Sequence, residues 1–200
     1  MKRYFQLAFV ILLISGVAAC SQSVATTSTL QPTLTEMYHP LTTRTGIQAI
    51  DRILDASGDV HTLRSFLQFN SVRCTKLDGL GGPPKCRQDE AEGTLVDVLP
   101  FLGPEGNYLR KEEIEDWQGF ESAGLFAIYE VSSDAFSDEN YPAGQQAILF
   151  VGKGTEPAIS LRINNGRIVR VDYLFDNSSK SLAAILQREA ASLILAPVAR

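Results

Sequence analysis

The strongest structural pattern in the chain lies in residues 159–175, ISLRINNGRIVRVDYLF. Apolar and polar residues alternate on both sides of Asn164-Asn165-Gly166, with apolar positions at Ile159, Leu161, Ile163, Val169, Val171, Tyr173 and Phe175. Alternation with a period of two is typical of strands, and an Asn-Gly pair between two such runs is a strong hairpin signal. The pattern therefore predicts two antiparallel strands joined by a tight turn.

The register of this hairpin follows from which residues share a face. A two-residue loop at Asn165-Gly166 would pair Leu161 with Arg170 and bring polar residues to the core face. A three-residue loop instead pairs Leu161 with Val169 and keeps one face apolar, as a half-buried strand requires. We therefore predict a three-residue loop in which Gly166 is left-handed and forms a bulge.

More strands and a short helix are predicted before the hairpin. Short apolar runs at residues 125–131 and 147–151 indicate buried strands. A further strand is expected over residues 94–99, ending at Pro100, and an extended segment over residues 72–75. A short helix is expected over residues 110–117, with its acidic side chains in solvent.

Helices are predicted at both ends of the folded region. Apolar residues recur at helical spacing after Thr45, a suitable N-cap, and again after Asp59, which can cap a second helix. A C-terminal helix is expected over residues 178–195, stopped by Pro197, with its apolar stripe at Leu182, Ile185, Leu186, Leu193 and Ile194. That stripe indicates packing on the sheet or, alternatively, contact with a partner or a membrane surface.

Two segments resemble the NTF2-like (SnoaL-like) family. Residues 50–59, IDRILDASGD, are similar to its opening helices, and residues 164–175, NNGRIVRVDYLF, to its last strand pair. The resemblance covers roughly residues 46–176. It implies an α+β fold in which N-terminal helices pack on a curved antiparallel sheet that forms a conical pocket. We accordingly expect an NTF2-like domain over residues 45–177, followed by a C-terminal helix over residues 178–200, a departure from the usual compact form.

The N-terminus resembles a bacterial lipoprotein signal. Lys2 and Arg3 precede an apolar core of about 13 residues, which is too short to span a bilayer, and the core ends in the lipobox-like Val17-Ala18-Ala19-Cys20. The resemblance implies cleavage after residue 19 and lipidation of Cys20, which would anchor the protein to a membrane on the extracytoplasmic side. An ordinary secretory signal with an incidental cysteine is the alternative.

The segment after Cys20 is expected to be a tether. Residues 20–44 are rich in Ser, Thr and Gln and poor in large apolar residues, a composition typical of disorder. Met37, Tyr38 and Leu41 near its end are candidates for docking on the domain. The predicted localisation is therefore the cell envelope, with the domain held off a bacterial membrane.

Composition narrows the range of partners. The 200 residues are 44% hydrophobic and 20% charged, which suits one globular domain. The formal net charge is -5, and loss of Lys2 and Arg3 with the signal would make the domain more acidic. This balance argues against nucleic acid as a partner. The partners we expect are the membrane, through Cys20, and a small apolar ligand or an envelope protein.

Cysteine use predicts one disulfide. With Cys20 assigned to lipid, Cys74 and Cys86 remain in an oxidising compartment, where a disulfide is the default. A metal site is rejected because further ligands of the right type are not close in sequence. The Gly-rich loop between the two cysteines is not a phosphate loop, since prolines follow it and no Gly-Lys-Ser/Thr is present.

The sequence favours binding over catalysis. Enzymes of the resembled family often keep an acid just after the second helix, and here that position holds Asn70, which cannot act as a general base. No nucleophile motif and no cofactor are indicated. Candidates for a ligand pocket are Tyr108, Trp117 and Tyr129, whereas Asp172 should face away from the apolar side by strand alternation. We expect a non-catalytic binding or interaction module, with an NTF2-like isomerase, cyclase or hydrolase as the alternative.

Overall fold

The computed structural model describes residues 38–103 and 105–198. The lipobox, Cys20, the signal segment, Met37 and most of the expected tether lie outside these residues. None of the helices in the described part of the chain is long and apolar enough to cross a membrane.

The domain contains eight strands, three α-helices and one 3-10 helix within the described residues. The strands are β1 (Asn70–Arg73), β2 (Leu95–Leu102), β3 (Asn107–Arg110), β4 (Ser122–Val131), β5 (Gln146–Gly152), β6 (Ala158–Asn164), β7 (Arg167–Leu174) and β8 (Ala190–Leu195). The α-helices are α1 (Gln48–Ala56), α2 (Val60–Arg64) and α3 (Ser179–Glu189), and the 3-10 helix covers Lys111–Asp116.

All eight strands belong to one open, curved and mostly antiparallel sheet. Its order is β1-β2-β7-β6-β5-β4-β8, with β3 paired to β2. The parallel strand pair of the described sheet joins β2 to β7 through two residue pairs, Phe101 with Val171 and Leu102 with Asp172. The expected α+β class with a curved antiparallel sheet is therefore confirmed.

Helices cover both faces of the sheet, so along the central strands the side chains that point to either face are buried. One face packs against α1 and α2 in a core that includes Ile50, Ile53, Leu63, Ile128, Ile148, Leu161 and Val171. The other face packs against α3 in a second core that includes Phe126, Tyr129, Leu149, Leu182, Ile185 and Leu186. This second layer explains why β6 has buried residues at six of its seven positions.

The β6–β7 hairpin exists as predicted, but its register differs from the prediction. The loop holds only Asn165 and Gly166, both with positive φ, of 50° and 71°. The left-handed Gly166 is thus confirmed and the three-residue loop is wrong. The extra residue enters further along β7 as a bulge at Val169, beyond which Leu161 pairs with Val171. The bulge, rather than the loop, keeps the apolar side chains on one face.

The two N-terminal helices begin with different local contacts. Asp59 caps α2 as predicted, because its side chain accepts hydrogen bonds from the N–H groups of His61 and Thr62. Thr45 does not cap α1, which begins after Ile47 without a side-chain cap. Thr45 instead donates to the Asp51 carboxylate through its N–H and hydroxyl, at 2.8 and 2.9 Å.

The C-terminal helix is shorter than predicted. Helix α3 ends at Glu189, and residues 190–195 form the edge strand β8 against β4. Leu182, Ile185 and Leu186 are buried as expected, whereas Leu193 is half exposed. The expectation of helix to residue 195 is therefore wrong. Residues 190–195 make their backbone hydrogen bonds with the free edge of β4 instead of within a continued helix.

The strand β2 extends past the predicted stop at Pro100. Along one side, β2 pairs with β1 as far as Val98 and with β7 from Phe101 onward. Pro100 falls in this interval, and a proline is tolerated where the ladder requires no N–H donor.

The described end of the expected tether, residues 38–44, lies on the domain. His39 exchanges two backbone hydrogen bonds with Leu125, at 2.7 and 2.9 Å. Tyr38 packs on the α3 side and Leu41 on the α1 side of the sheet. The contact of Tyr38 and Leu41 with the domain agrees with the docking expected of them.

Candidate functional site

A concave pocket of about 580 Å³ lies between β2, β3, the 3-10 helix and the end of β7. Its walls are mostly apolar and include Phe101, Tyr108, Leu109, Trp117, Tyr173 and Phe175. We call this the aromatic pocket. Its position follows from topology, because the parallel contact of β2 with β7 brings Phe101 beside the end of β7.

Three of these rings form a packed wall. Phe101 stacks on Tyr173 with centroids 5.7 Å apart, and Trp117 meets Phe101 edge-on at 6.0 Å. The Trp117 indole N–H donates to the Tyr173 hydroxyl oxygen at 3.4 Å. Burial raises the pKa of Tyr173, and this hydrogen bond opposes the rise only in part. Tyr173 therefore stays a neutral hydroxyl that can donate a hydrogen bond to a ligand.

Acidic residues line the pocket beside the aromatic wall. Glu105, Glu113 and Asp116 contribute carboxylates, and the described lining residues include no Lys or Arg. Glu113 is paired with Arg87 outside the pocket, whereas Glu105 and Asp116 are exposed. An aromatic wall beside uncompensated carboxylates favours a ligand that is apolar and positively charged, through cation–π and Coulomb attraction.

The loop closed by the disulfide lies next to the aromatic pocket. Cys74 and Cys86 form the predicted bond. The Tyr108 hydroxyl donates to the Gly82 carbonyl oxygen at 2.6 Å, and the Gly81 N–H donates to the Glu105 carbonyl at 2.7 Å. Burial, together with the neighbouring Tyr141, raises the pKa of Tyr108. One wall of the pocket is thus tied directly to the loop.

An ion pair fixes the base of the same loop. Arg110 donates to both oxygens of Glu90, at 2.6 and 2.8 Å, and to the Lys85 carbonyl at 2.9 Å. Hydrogen bonds from Arg110 and from the Arg87 N–H lower the pKa of Glu90 to about 2. Glu90 also approaches Cys74 and Cys86, but both sulfurs are in the disulfide and offer no thiolate to a metal.

The structure brings together two of the three predicted pocket residues. Tyr108 and Trp117 both line the aromatic pocket. Tyr129 lies on the α3 side of the sheet, in the second core. Asn70 lies at the start of β1. Phe101, Tyr173 and Phe175 are pocket residues that the sequence did not identify, since Tyr173 and Phe175 were placed among the apolar positions of the second hairpin strand.

Asp172 faces away from the α1 core, as alternation predicted, but this second face is also buried. Asp172 accepts two hydrogen bonds from Arg170, at 2.7 and 3.0 Å, and one from the Arg162 Nε at 2.7 Å. The remaining Arg170 nitrogen donates to the carbonyls of Phe136 and Tyr141. Asp172 therefore joins two arginines within the α3-covered layer of the sheet.

Glu189, the last residue of α3, extends this network. It accepts hydrogen bonds from Arg162 and, at 2.7 Å, from Arg188. Burial alone would raise the pKa of Glu189, but the positive charge of Arg162 and the two hydrogen bonds outweigh it and leave the pKa lowered. Burial also raises the pKa of Tyr129, which lies against Arg162, to about 12. We call Arg162, Arg170, Asp172 and Glu189 the buried ion cluster.

Comparisons of this chain with sequence models of known families, with curated proteins and with solved structures found no match. The assignment of a function therefore depends on the geometry and chemistry of the two sites described above.

Proposed function

We propose that this protein is a lipid-anchored envelope protein whose NTF2-like domain captures a small, apolar, positively charged molecule in the aromatic pocket, without catalysis. The aromatic pocket is the observation that carries the proposal. It is large enough for a small organic ligand, mostly apolar, and lined by carboxylates that no described basic lining residue neutralises. An NTF2-like cone is supported by the N-terminal helix pair and the curved sheet with its Asn-Gly hairpin.

The arrangement of the carboxylates favours binding over proton transfer. A general base must hold its carboxylate close to the reacting atom, and active sites commonly bury it to tune its pKa. In the aromatic pocket, Glu105 and Asp116 are exposed and Glu113 is engaged by Arg87. The two buried carboxylates of the described chain, Asp172 and Glu189, are both paired with arginines. No carboxylate of the aromatic pocket is thus placed like a catalytic base.

A second candidate function is contact with an envelope protein through the disulfide loop. Leu77 and Leu80 on this loop are 74% and 77% exposed, the highest values among the large apolar residues of the described chain. A loop closed by a disulfide can present such side chains with little loss of entropy on binding. Crosslinking from Leu80 in intact cells would reveal this partner.

Ligand capture can be measured with the chain's single tryptophan, Trp117, which lies in the pocket wall. We expect hexylamine to change Trp117 fluorescence saturably, with hexanol weaker and hexanoate weakest, because the three share one apolar chain and differ in charge. Asp116→Asn should weaken hexylamine binding about three- to tenfold, and Phe175→Ala by a similar factor. Glu139→Gln and Leu77→Ala, at exposed positions away from the pocket, are the matched controls. Equal binding of all three probes would contradict the charge preference, and no saturable change would reject the pocket as a ligand site.

The lipid anchor has an independent test at Cys20. In bacteria grown with an alkyne-tagged fatty acid, we expect the wild-type chain to carry the tag and to sediment with membranes. Cys20→Ser removes the thiol that would receive the lipid, so the tag should be lost entirely. Retention of the tag in Cys20→Ser, or its absence from the wild type, would show that Cys20 is not the lipidation site.

A further inference from the structure

A second cavity lies on the opposite face of the sheet, beneath α3. Its volume is about 330 Å³, and it is bounded by the buried ion cluster and by apolar side chains that include Leu102, Leu174 and Ile185. We call it the α3 cavity. It is lined by none of the aromatic pocket's acidic residues.

The charged groups around the α3 cavity do not balance. Three arginines, Arg162, Arg170 and Arg188, face two carboxylates, Asp172 and Glu189, which leaves one positive charge in excess. The buried members, Arg162 and Arg170 with Asp172 and Glu189, balance one another, whereas the Arg188 side chain is 66% exposed, so the excess positive charge lies at the rim of the cavity.

Two neighbouring polar groups beside the α3 cavity, on Arg162 and Ser160, are buried without a hydrogen-bond partner among the described residues. Every terminal nitrogen of Arg170 is bonded, whereas Nη1 of Arg162 is buried and has no hydrogen-bond partner among the described residues. Ser160 precedes Arg162 by two residues on β6, so its side chain lies on the same face, and its buried Oγ likewise has no hydrogen-bond partner in the described part of the chain. An unpaired buried donor, above all a charged one, carries a substantial free-energy cost.

We propose that the α3 cavity binds a small organic carboxylate, with Arg162 Nη1 and the Ser160 hydroxyl as donors to its oxygens. A monoanion would neutralise the single excess positive charge, whereas a dianion would leave one negative charge in excess. The apolar side chains Leu102, Leu174 and Ile185 provide room for a short hydrocarbon body. The two cavities share the lining residues Gly103 and Tyr173 but differ in charge and in the rest of their lining.

The experiment uses radiolabelled hexanoate and the full chain, by equilibrium dialysis against a detergent-matched blank. We expect saturable binding of hexanoate that Phe175→Ala in the aromatic pocket leaves unchanged, and no binding of hexanol at this site. Ser160→Ala should weaken hexanoate binding by about tenfold, the factor for one hydrogen bond to a charged group. Ser133→Ala, an exposed serine on the loop after β4, is the matched control and should bind hexanoate like the wild type.

A stability measurement separates ligand binding from a structural role. Without hexanoate, Ser160→Ala should not lower the urea midpoint, because the hydroxyl makes no hydrogen bond to any residue that the structure describes. Saturating hexanoate should raise the midpoint of the wild type and raise it less in Ser160→Ala. The inference is overturned if hexanoate does not bind, if Ser160→Ala binds it as tightly as the wild type, or if Phe175→Ala in the aromatic pocket weakens its binding. None of these results bears on hexylamine in the aromatic pocket.

Discussion

Asp172→Ala is expected to destabilise the protein by about 3–5 kcal/mol, the cost of removing one partner from a buried ion pair. Asp172 is 3% exposed and accepts hydrogen bonds from both Arg162 and Arg170, which are themselves buried. Its removal leaves two guanidinium groups without their shared counter-ion, in a layer that α3 shields from water. The free energy of unfolding, measured by urea titration with tryptophan fluorescence and circular dichroism, provides the value.

Two further variants make the Asp172 result interpretable. Asp172→Asn keeps the shape and one acceptor oxygen but removes the charge, so we expect a smaller loss than in the alanine variant. Asp78→Ala changes an exposed aspartate that has no ion-pair partner among the described residues, and it should stay within about 0.5 kcal/mol of the wild type. An Asp172→Ala loss no greater than that of Asp78→Ala would mean that the buried ion cluster contributes nothing net to stability.

The same cluster gives stability a defined pH dependence. The pKa of Glu189 is lower in the folded protein than its ordinary value of 4.5. The unfolded chain therefore binds a proton first as the pH falls, and the contribution of Glu189 is complete above that value. We expect this contribution to be lost progressively below pH 4.5, and Glu189→Gln to show a shallower loss of stability over the same range.

Loss of the disulfide is the second large effect. Cys74 and Cys86 are separated by 12 positions, and closing such a loop contributes about 3 kcal/mol in the chain-entropy description. We expect the double variant Cys74→Ala with Cys86→Ala to lose that amount in urea unfolding. The wild type in reducing agent should lose a similar amount, and the double variant should not respond to reducing agent. An unchanged urea midpoint of the wild type after complete reduction of the disulfide would contradict the prediction.

The local elements of this fold could be predicted from the sequence where interactions between residues close in sequence determine the conformation. The Asn-Gly turn, the Asp59 cap and the disulfide are of this kind. The register of β6 with β7 could not be predicted, because the bulge at Val169 is set by packing on both faces of the sheet. The end of α3 at Glu189 likewise depends on a distant partner, the free edge of β4.

The candidate sites were predictable only in part, and for a physical reason. Tyr108 and Trp117 stand out because aromatic residues in loops and short helices have no evident core to fill. Tyr173 was assigned to a strand interior, and Phe101 fell beyond the predicted end of its strand at Pro100, since sequence alone does not show how far a strand continues or where a sheet opens. Arg162, Arg170 and Asp172 looked like a solvent face because they alternate with apolar residues. The apolar stripe of α3 was the feature that could have indicated their burial, because it can cover the sheet face on which these charged residues lie.

The narrow junction between β2 and β7 has a consequence for motion. Two residue pairs join these strands, and beside them Phe66 and Gln68 share backbone hydrogen bonds with Ile168 of β7. Because this junction is narrow, we expect the sheet to separate there at a free energy below that of global unfolding, into β1–β3 with the disulfide loop and β4–β8. Phe101, on one side of this junction, lines the aromatic pocket, while Leu102 and Asp172 line the α3 cavity. Amide hydrogens at this junction should therefore exchange earlier than those of β5 and β6. A molecule held in either cavity would slow that exchange, since it binds only where the two halves are closed.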